Sequence, residues 1–121
     1  MRELTSHKVN GLNEALRIDV LDEPGQGNAC HEYRISPTVG NATGIRIDFQ
    51  NGPLVETIYP NGISNEALLA IVEDRLVGFQ AGDYACEDNA EALEFVRLAL
   101  ASLKHRTEER AKRGVEATSN K

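Results

Sequence analysis

"GISNEALLAIVEDRLVGFQAGDYACEDNAEALEFVRLALASLKHRTEERAKR", residues 62–113, decides the fold of this chain. From Ser64 onward the apolar residues recur with a helical period. Leu68, Ile71, Val72, Leu76 and Phe79 fall on one stripe, which Leu69 and Val77 widen. Ser64 is placed to cap this helix, and Glu66 sits in its first turn, near the positive end of the dipole. "AGD" breaks the period at Gly82, read as a C-cap, and Asp83 is expected to start a second helix. That second helix runs for roughly 30 residues, or ~45 Å. A globule of 121 residues is narrower, so the helix is expected to project or to pack on another subunit. Ala85, Ala92 and Ala99 recur every seven residues and mark a seam that a neighbouring helix can approach closely.

Upstream of residue 62 the period is two. "ALRIDVL" sets Leu16, Ile18 and Val20 against Arg17 and Asp19; "HEYRI" sets Tyr33 and Ile35 against Arg34; "GIRIDF" sets Ile45, Ile47 and Phe49 against Arg46 and Asp48. Side chains alternate across a strand, so these are half-buried strands with a polar outer face. "DEPGQG" predicts a type II turn centred on Pro24 and Gly25. Of the three Asn-Gly pairs, Asn51-Gly52 is expected to join two paired strands. No helix of crossover length separates the strands, so the sheet is expected to be mostly antiparallel. The fold class is α+β: a small, mostly antiparallel N-terminal sheet followed by a C-terminal two-helix hairpin with a long second helix. It reads as a single domain over 1–121, with a β-portion at 1–62, the helical hairpin at 63–113 and an irregular tail at 114–121.

Composition narrows the function. The chain is 40% hydrophobic, 26% charged and 5% aromatic, with no Trp and a formal net charge of −6. That charge argues against duplex nucleic acid and anionic membrane as partners, because phosphate neutralisation dominates such binding. No signal peptide or bilayer-spanning apolar run is visible, and Cys30 and Cys86 lack the spacing of a redox pair. The expectation is reduced thiols in a cytoplasm.

The one basic stretch lies at 104–113, where Lys104, Arg106, Arg110, Lys112 and Arg113 outnumber Glu108 and Glu109. Compensation of the helix dipole is one reading. The other is a compact phosphate site, since Arg106, Arg110 and Arg113 are spaced to share one face and arginine forks suit phosphate. Phe79 is either core or a platform for a nucleobase. Asn89 is either a solvated residue or a reader of base and ribose edges, since its amide both donates and accepts. His7, His31, His105 and the cysteines match no zinc spacing, and "GQGNA" at 25–29 is a turn rather than a phosphate loop. No nucleophile–base grouping has useful spacing, so no metal, cofactor or catalytic residue is expected.

Several blocks carry a more specific resemblance: "FQNGP" at 49–53, the Asn-Gly pair at 61–62 before "NEALLAIVEDRL", "GFQAGDYACEDN" at 78–89, and "RTEERAKRGVEAT" at 106–118. They resemble the hairpin shared by the Thoeris anti-defence family of phage nucleotide sponges and their anti-CBASS relatives. Upstream, "GLNEALRIDVLDEPGQGNACHEYRI" resembles the β-portion of the Thoeris anti-defence group, so the likeness spans roughly residues 11–118. It departs from the family at Ala117, where Gly is usual, and at Ser102, where Trp is usual.

The resemblance implies a non-enzymatic protein of the bacterial host cytoplasm. Such a protein binds and sequesters cyclic ADP-ribose isomers (gcADPR) made by TIR enzymes, and in some members cyclic di- or trinucleotides as well. It implies Phe79 as the base-contacting aromatic, Asn89 as the polar reader, Arg106 as the phosphate contact, and His31 or Glu32 as the reach from the β-portion. Arg110, Arg113 and Thr118 form the candidate second nucleotide site. A homo-oligomer, dimer or hexamer, is expected to hold the pockets between subunits. The readings set against this are a nucleotide-degrading enzyme and a partner-binding oligomer without a nucleotide ligand.

Overall fold

The computed structural model describes residues 1–52 and 59–112. Arg113, Ala117 and Thr118, the expected tail, and the strand expected to follow Gly52 lie outside the described residues. The chain divides into two compact units, the first holding residues 1–52 and 59–63 and the second beginning at Ser64.

The first unit is a four-stranded sheet in the order β1 (Arg2–Leu4), β2 (Leu16–Val20), β3 (Glu32–Pro37), β4 (Ile45–Asp48), with every neighbouring pair antiparallel. The three alternating segments form β2, β3 and β4 as the period-two pattern requires. β1 has no such signal: three residues are too few to show a period, and cross-strand pairing with β2 creates the strand.

The register explains the alternation. Leu4, Ile18, Ile35 and Ile45 stand in one row, and Val20, Tyr33 and Ile47 in the next on the same face. Val20 is fully buried there, worth about 1.5–3 kcal/mol for a side chain of that size. On the opposite face Arg17 bridges Glu3 at 3.4 Å and Asp19 at 2.9 Å, while Arg46 bridges Asp48 at 3.0 Å and also pairs with Glu32. These pairs are mostly exposed, so they fix register more than they add stability.

Two turns differ from expectation. Gly25 has φ −117°, which a type II turn does not allow at its third position. The left-handed residues are Gly27, at φ 72°, and Asn28, at φ 65°, in a turn closed by Asn28 N–H donating to the Gly25 carbonyl at 2.9 Å. The turn sits two residues later, on the residue types that take a positive φ most readily, glycine and asparagine.

After β4 the chain meets residue 63 in a parallel bridge, Phe49 to Ile63. A side-chain clasp closes this excursion. Asn61 Oδ1 accepts the Asn51 amide and Asn61 Nδ2 donates to the Asn51 carbonyl, both at 2.8 Å; Gln50 Oε1 accepts the Asn61 amide at 2.8 Å. The backbones cross so closely that a Cβ on Gly62 would lie 2.4 Å from the Phe49 carbonyl carbon.

The second unit is the helical hairpin, α1 (Asn65–Gln80) and α2 (Glu87–Lys112). Ser64 caps α1 as expected, its Oγ accepting the Ala67 amide at 3.1 Å. The hairpin turn is again displaced. α1 ends at Ala81 in right-handed geometry and Gly82 adopts no positive φ. Cys86, not Asp83, precedes α2, and its Sγ accepts the Asn89 amide at 3.4 Å. α2 spans 26 described residues, about 39 Å.

The expected apolar stripe is covered only in part. Leu68 and Leu76 are half-buried, as is Leu69, but Ile71 is 58% exposed, and Val72, Val77 and Phe79 are also exposed. On α2 the half-buried positions are Asn89, Ala92, Leu93, Val96, Leu100, Leu103, Thr107, Glu109 and Arg110, whereas Ala99 on the helix and Ala85 just before it are exposed. The alanine seam is therefore not the contact within the hairpin. Arg97 to Glu73 at 3.0 Å and Thr107 Oγ1 donating to Glu66 Oε2 at 3.2 Å fix the antiparallel register of the helices.

Replacing Gly62 by Ala is expected to cost at least roughly 2 kcal/mol, because the obstructing atoms are backbone. Urea denaturation checks this; an unchanged midpoint would show that the crossing relaxes freely.

Candidate functional site

The hairpin has two chemically different ends. At its turn end stand Phe79 in the last turn of α1 and Asn89 in the first turn of α2. Phe79 is 38% exposed and is not core. Arg75, one helical turn earlier, places its Cζ 5.4 Å from the Phe79 ring centroid. The Tyr84 ring stands at 85° to it, with centroids 6.3 Å apart. Asn89 Nδ2 donates to the Tyr84 carbonyl at 3.2 Å, which leaves its Oδ1 without a partner among the described residues. This end is acidic, since Asp83, Glu87, Asp88 and Glu91 cluster in the turn and the start of α2.

The opposite end is basic. Lys104, Arg106, Arg110 and Lys112 occupy the last described turns of α2. Arg106 is exposed and makes no hydrogen bond or ion pair among the described residues. Lys112, by contrast, reaches Glu109 at 3.7 Å, and Arg110 is half-buried. Seventeen residues of helix separate Asn89 from Arg106, roughly 25 Å along the axis. The fold thus brings Phe79 and Asn89 together and holds Arg106 and Arg110 far from both within one chain.

His31 lies in the other unit and is buried. Its amide donates to Asp22 Oδ2 at 2.9 Å, its carbonyl accepts the Phe49 amide at 2.8 Å, and its Nδ1 is buried without a partner among the described residues. Glu32, the alternative to His31, has its carboxylate paired with Arg46 and its amide given to Asp22 Oδ1 at 3.1 Å. Asp22 is therefore the anchor of this turn. Removal from water pushes its carboxyl up, but the hydrogen bonds from the His31, Glu32 and Asp22 amides and the nearby His31 ring outweigh that. Asp22 is held below the ordinary carboxylate range.

Sequence reasoning missed Arg75 and Tyr84. Arg75 precedes Phe79 by four residues, the spacing that stacks side chains on a helix, so that signal was present. Tyr84 gave only the weaker signal of a lone aromatic in a polar turn. Among the described residues no group of His, Cys, Asp and Glu is arranged to hold a metal ion, and no helix is long and apolar enough to cross a membrane.

Residues 41–107 match the Acb2/Tad1 hairpin domain family. That span contains Phe79, Tyr84, Asn89 and Arg106 and stops short of Arg110. Over 104 residues the chain is 44% identical to a protein named Thoeris anti-defense 1 from Bacillus phage SBSphiJ7; the alignment covers 86% of this chain and 71% of that protein.

The Asp22 anchor has a pH signature. Its carboxyl titrates lower in the folded chain than in the unfolded one, so its stabilising contribution is complete above about pH 4 and is lost as pH falls through the folded value. Acid unfolding followed by circular dichroism should show this loss in the wild type. Asp22→Asn should be less stable at neutral pH and lack that component; superimposable stability-versus-pH curves would contradict the role.

Proposed function

The chain belongs to the Acb2/Tad1 family of phage anti-defence proteins, and on that premise we propose that it captures cyclic ADP-ribose isomers, the gcADPR signals made by TIR enzymes, and holds them intact. The observation that carries this reading is the separation of functional groups along the hairpin. The ligand presents an adenine, riboses and two phosphates. Phe79 offers a stacking face, and, with no partner for either among the described residues, Asn89 Oδ1 offers an acceptor for a base or ribose edge and Arg106 a guanidinium for phosphate. Roughly 25 Å keeps the first two from the third in one chain.

Two copies laid antiparallel about a two-fold axis remove that separation. Arg106 of each then meets Phe79 and Asn89 of the other, and the symmetry makes two equal pockets. The basic end of one hairpin faces the acidic end of its partner, and the exposed Ile71, Val72, Phe95 and Leu98 supply apolar surface for the contact. The pair is the smallest assembly of this kind, and a hexamer repeats it. Arg110, with Arg113 and Thr118 beyond the described residues, is the set proposed for cyclic di- or trinucleotides, and the host cytoplasm is the proposed site of action. His31 is buried, so its proposed part is to hold the 22–32 turn rather than to stand open to solvent.

Sequestration and degradation are separated by recovery of the ligand. A cyclic ADP-ribose isomer bound to the chain and released by heat should elute unchanged on chromatography; cleaved product would make the protein an enzyme. Assembly is tested by native mass spectrometry, where a monomer that still binds tightly would overturn the shared pocket. Arg106→Ala should weaken binding by about 1.5–3 kcal/mol, the worth of a charge-assisted contact, and calorimetry should register it.

A further inference from the structure

Resting on that reading, we propose that Tyr84 is a second ligand-contacting aromatic, the end wall of the pocket whose floor is Phe79. Tyr84 is 76% exposed, so it contributes nothing to a core within its own chain. Yet the backbone that carries it is pinned on both sides. Asn89 Nδ2 holds the Tyr84 carbonyl at 3.2 Å, and the Cys86 amide donates to Gln80 Oε1 at 3.0 Å. One tie runs to the start of α2 and the other to the end of α1. An exposed aromatic on a backbone already ordered by side-chain hydrogen bonds loses little further entropy on binding, which is the condition for a preorganised contact.

The ring geometry defines the contact. Tyr84 stands at 85° to Phe79 with centroids 6.3 Å apart, and the Arg75 guanidinium lies over the Phe79 ring at 5.4 Å. The two rings form an aromatic corner, and the cation occupies one face of Phe79. A nucleobase laid parallel to the other face of Phe79 is perpendicular to Tyr84 and meets it edge-on. The corner therefore limits how far a stacked base slides outward. The Tyr84 hydroxyl has no partner among the described residues and is available to a base edge or a ribose hydroxyl. Asn89 then acts twice: its Oδ1 toward the ligand, and its Nδ2 as the support of Tyr84.

The test uses the full chain and the cyclic ADP-ribose isomer that most raises the melting temperature of the wild type. Tyr84→Ala should weaken binding on the order of tenfold, as loss of an aromatic contact does, while circular dichroism and native mass stay unchanged. Tyr84→Phe keeps the wall and loses only the hydroxyl, so its loss should stay within roughly fivefold. A direct readout is available because the chain has three tyrosines and no tryptophan. Its intrinsic fluorescence is that of tyrosine, and the ligand-induced change in emission should largely vanish in Tyr84→Phe. Wild-type affinity in Tyr84→Ala, or an undiminished emission change in Tyr84→Phe, overturns the assignment. So does loss of the assembled mass in Tyr84→Ala, which would place the ring against another copy of the chain instead. If no isomer binds the wild type, the sequestering reading falls first and this inference with it.

Discussion

Two helices lying side by side share one seam and no more, and that constraint governs the second half of this chain. Each helix offers its neighbour one narrow line of side chains. On α2 that line runs through Leu93, Val96, Leu100 and Leu103, all of which are only half-buried, and neither helix buries a residue fully. Among the described residues the buried ones, Val20, Cys30, Asp19 and His31, belong to the sheet unit. Ile71, Val72, Phe95 and Leu98 therefore remain outward although a hairpin of this composition has every reason to cover them. A site built on such a hairpin inherits the same incompleteness, since its aromatic end and its cationic end cannot meet within one copy.

Charge reinforces the geometry. The aromatic end carries Asp83, Glu87, Asp88 and Glu91 around Phe79 and Asn89. Alone, that end would repel a phosphate. The only nearby cation described there, Arg75, is spent on the Phe79 ring. Arg106, by contrast, makes no ion pair among the described residues. Each end is thus unsuited by itself to a phosphorylated ligand, and the proposed pairing of opposite ends would supply both the stacking surface and the positive charge.

The sheet and the existence of two helices were legible because both rest on long periodic signals: period two in β2, β3 and β4, and a helical period after Ser64. What was not legible depends on single contacts. β1 is set by its pairing with β2. The turn near residue 25 moved to Gly27 because the backbone, not the Pro-Gly pair, selects where φ turns positive. α2 begins after Cys86 because a thiol receives the Asn89 amide there. The apolar stripe on α1 was legible as a stripe, but a hydrophobic period shows only that a face seeks cover, not which neighbour provides it. Of the candidate site, Phe79, Asn89 and Arg106 came through residue type and family pattern, and Tyr84 came only from ring geometry.

The clasp at the end of the sheet unit bears on the chemical lifetime of the protein. An asparagine followed by glycine loses its side-chain amide when the next backbone nitrogen attacks Cγ, expelling ammonia and leaving an imide that opens to aspartate or isoaspartate. Asn61 precedes Gly62, yet both ends of its carboxamide are held by the Asn51 backbone. That engagement resists the rotation cyclisation needs. Were the reaction to occur, the new carboxylate would face the Asn51 carbonyl where an N–H had donated, and attraction would become repulsion. Two of the three bonds of the clasp therefore also oppose the ageing of the residue that makes them.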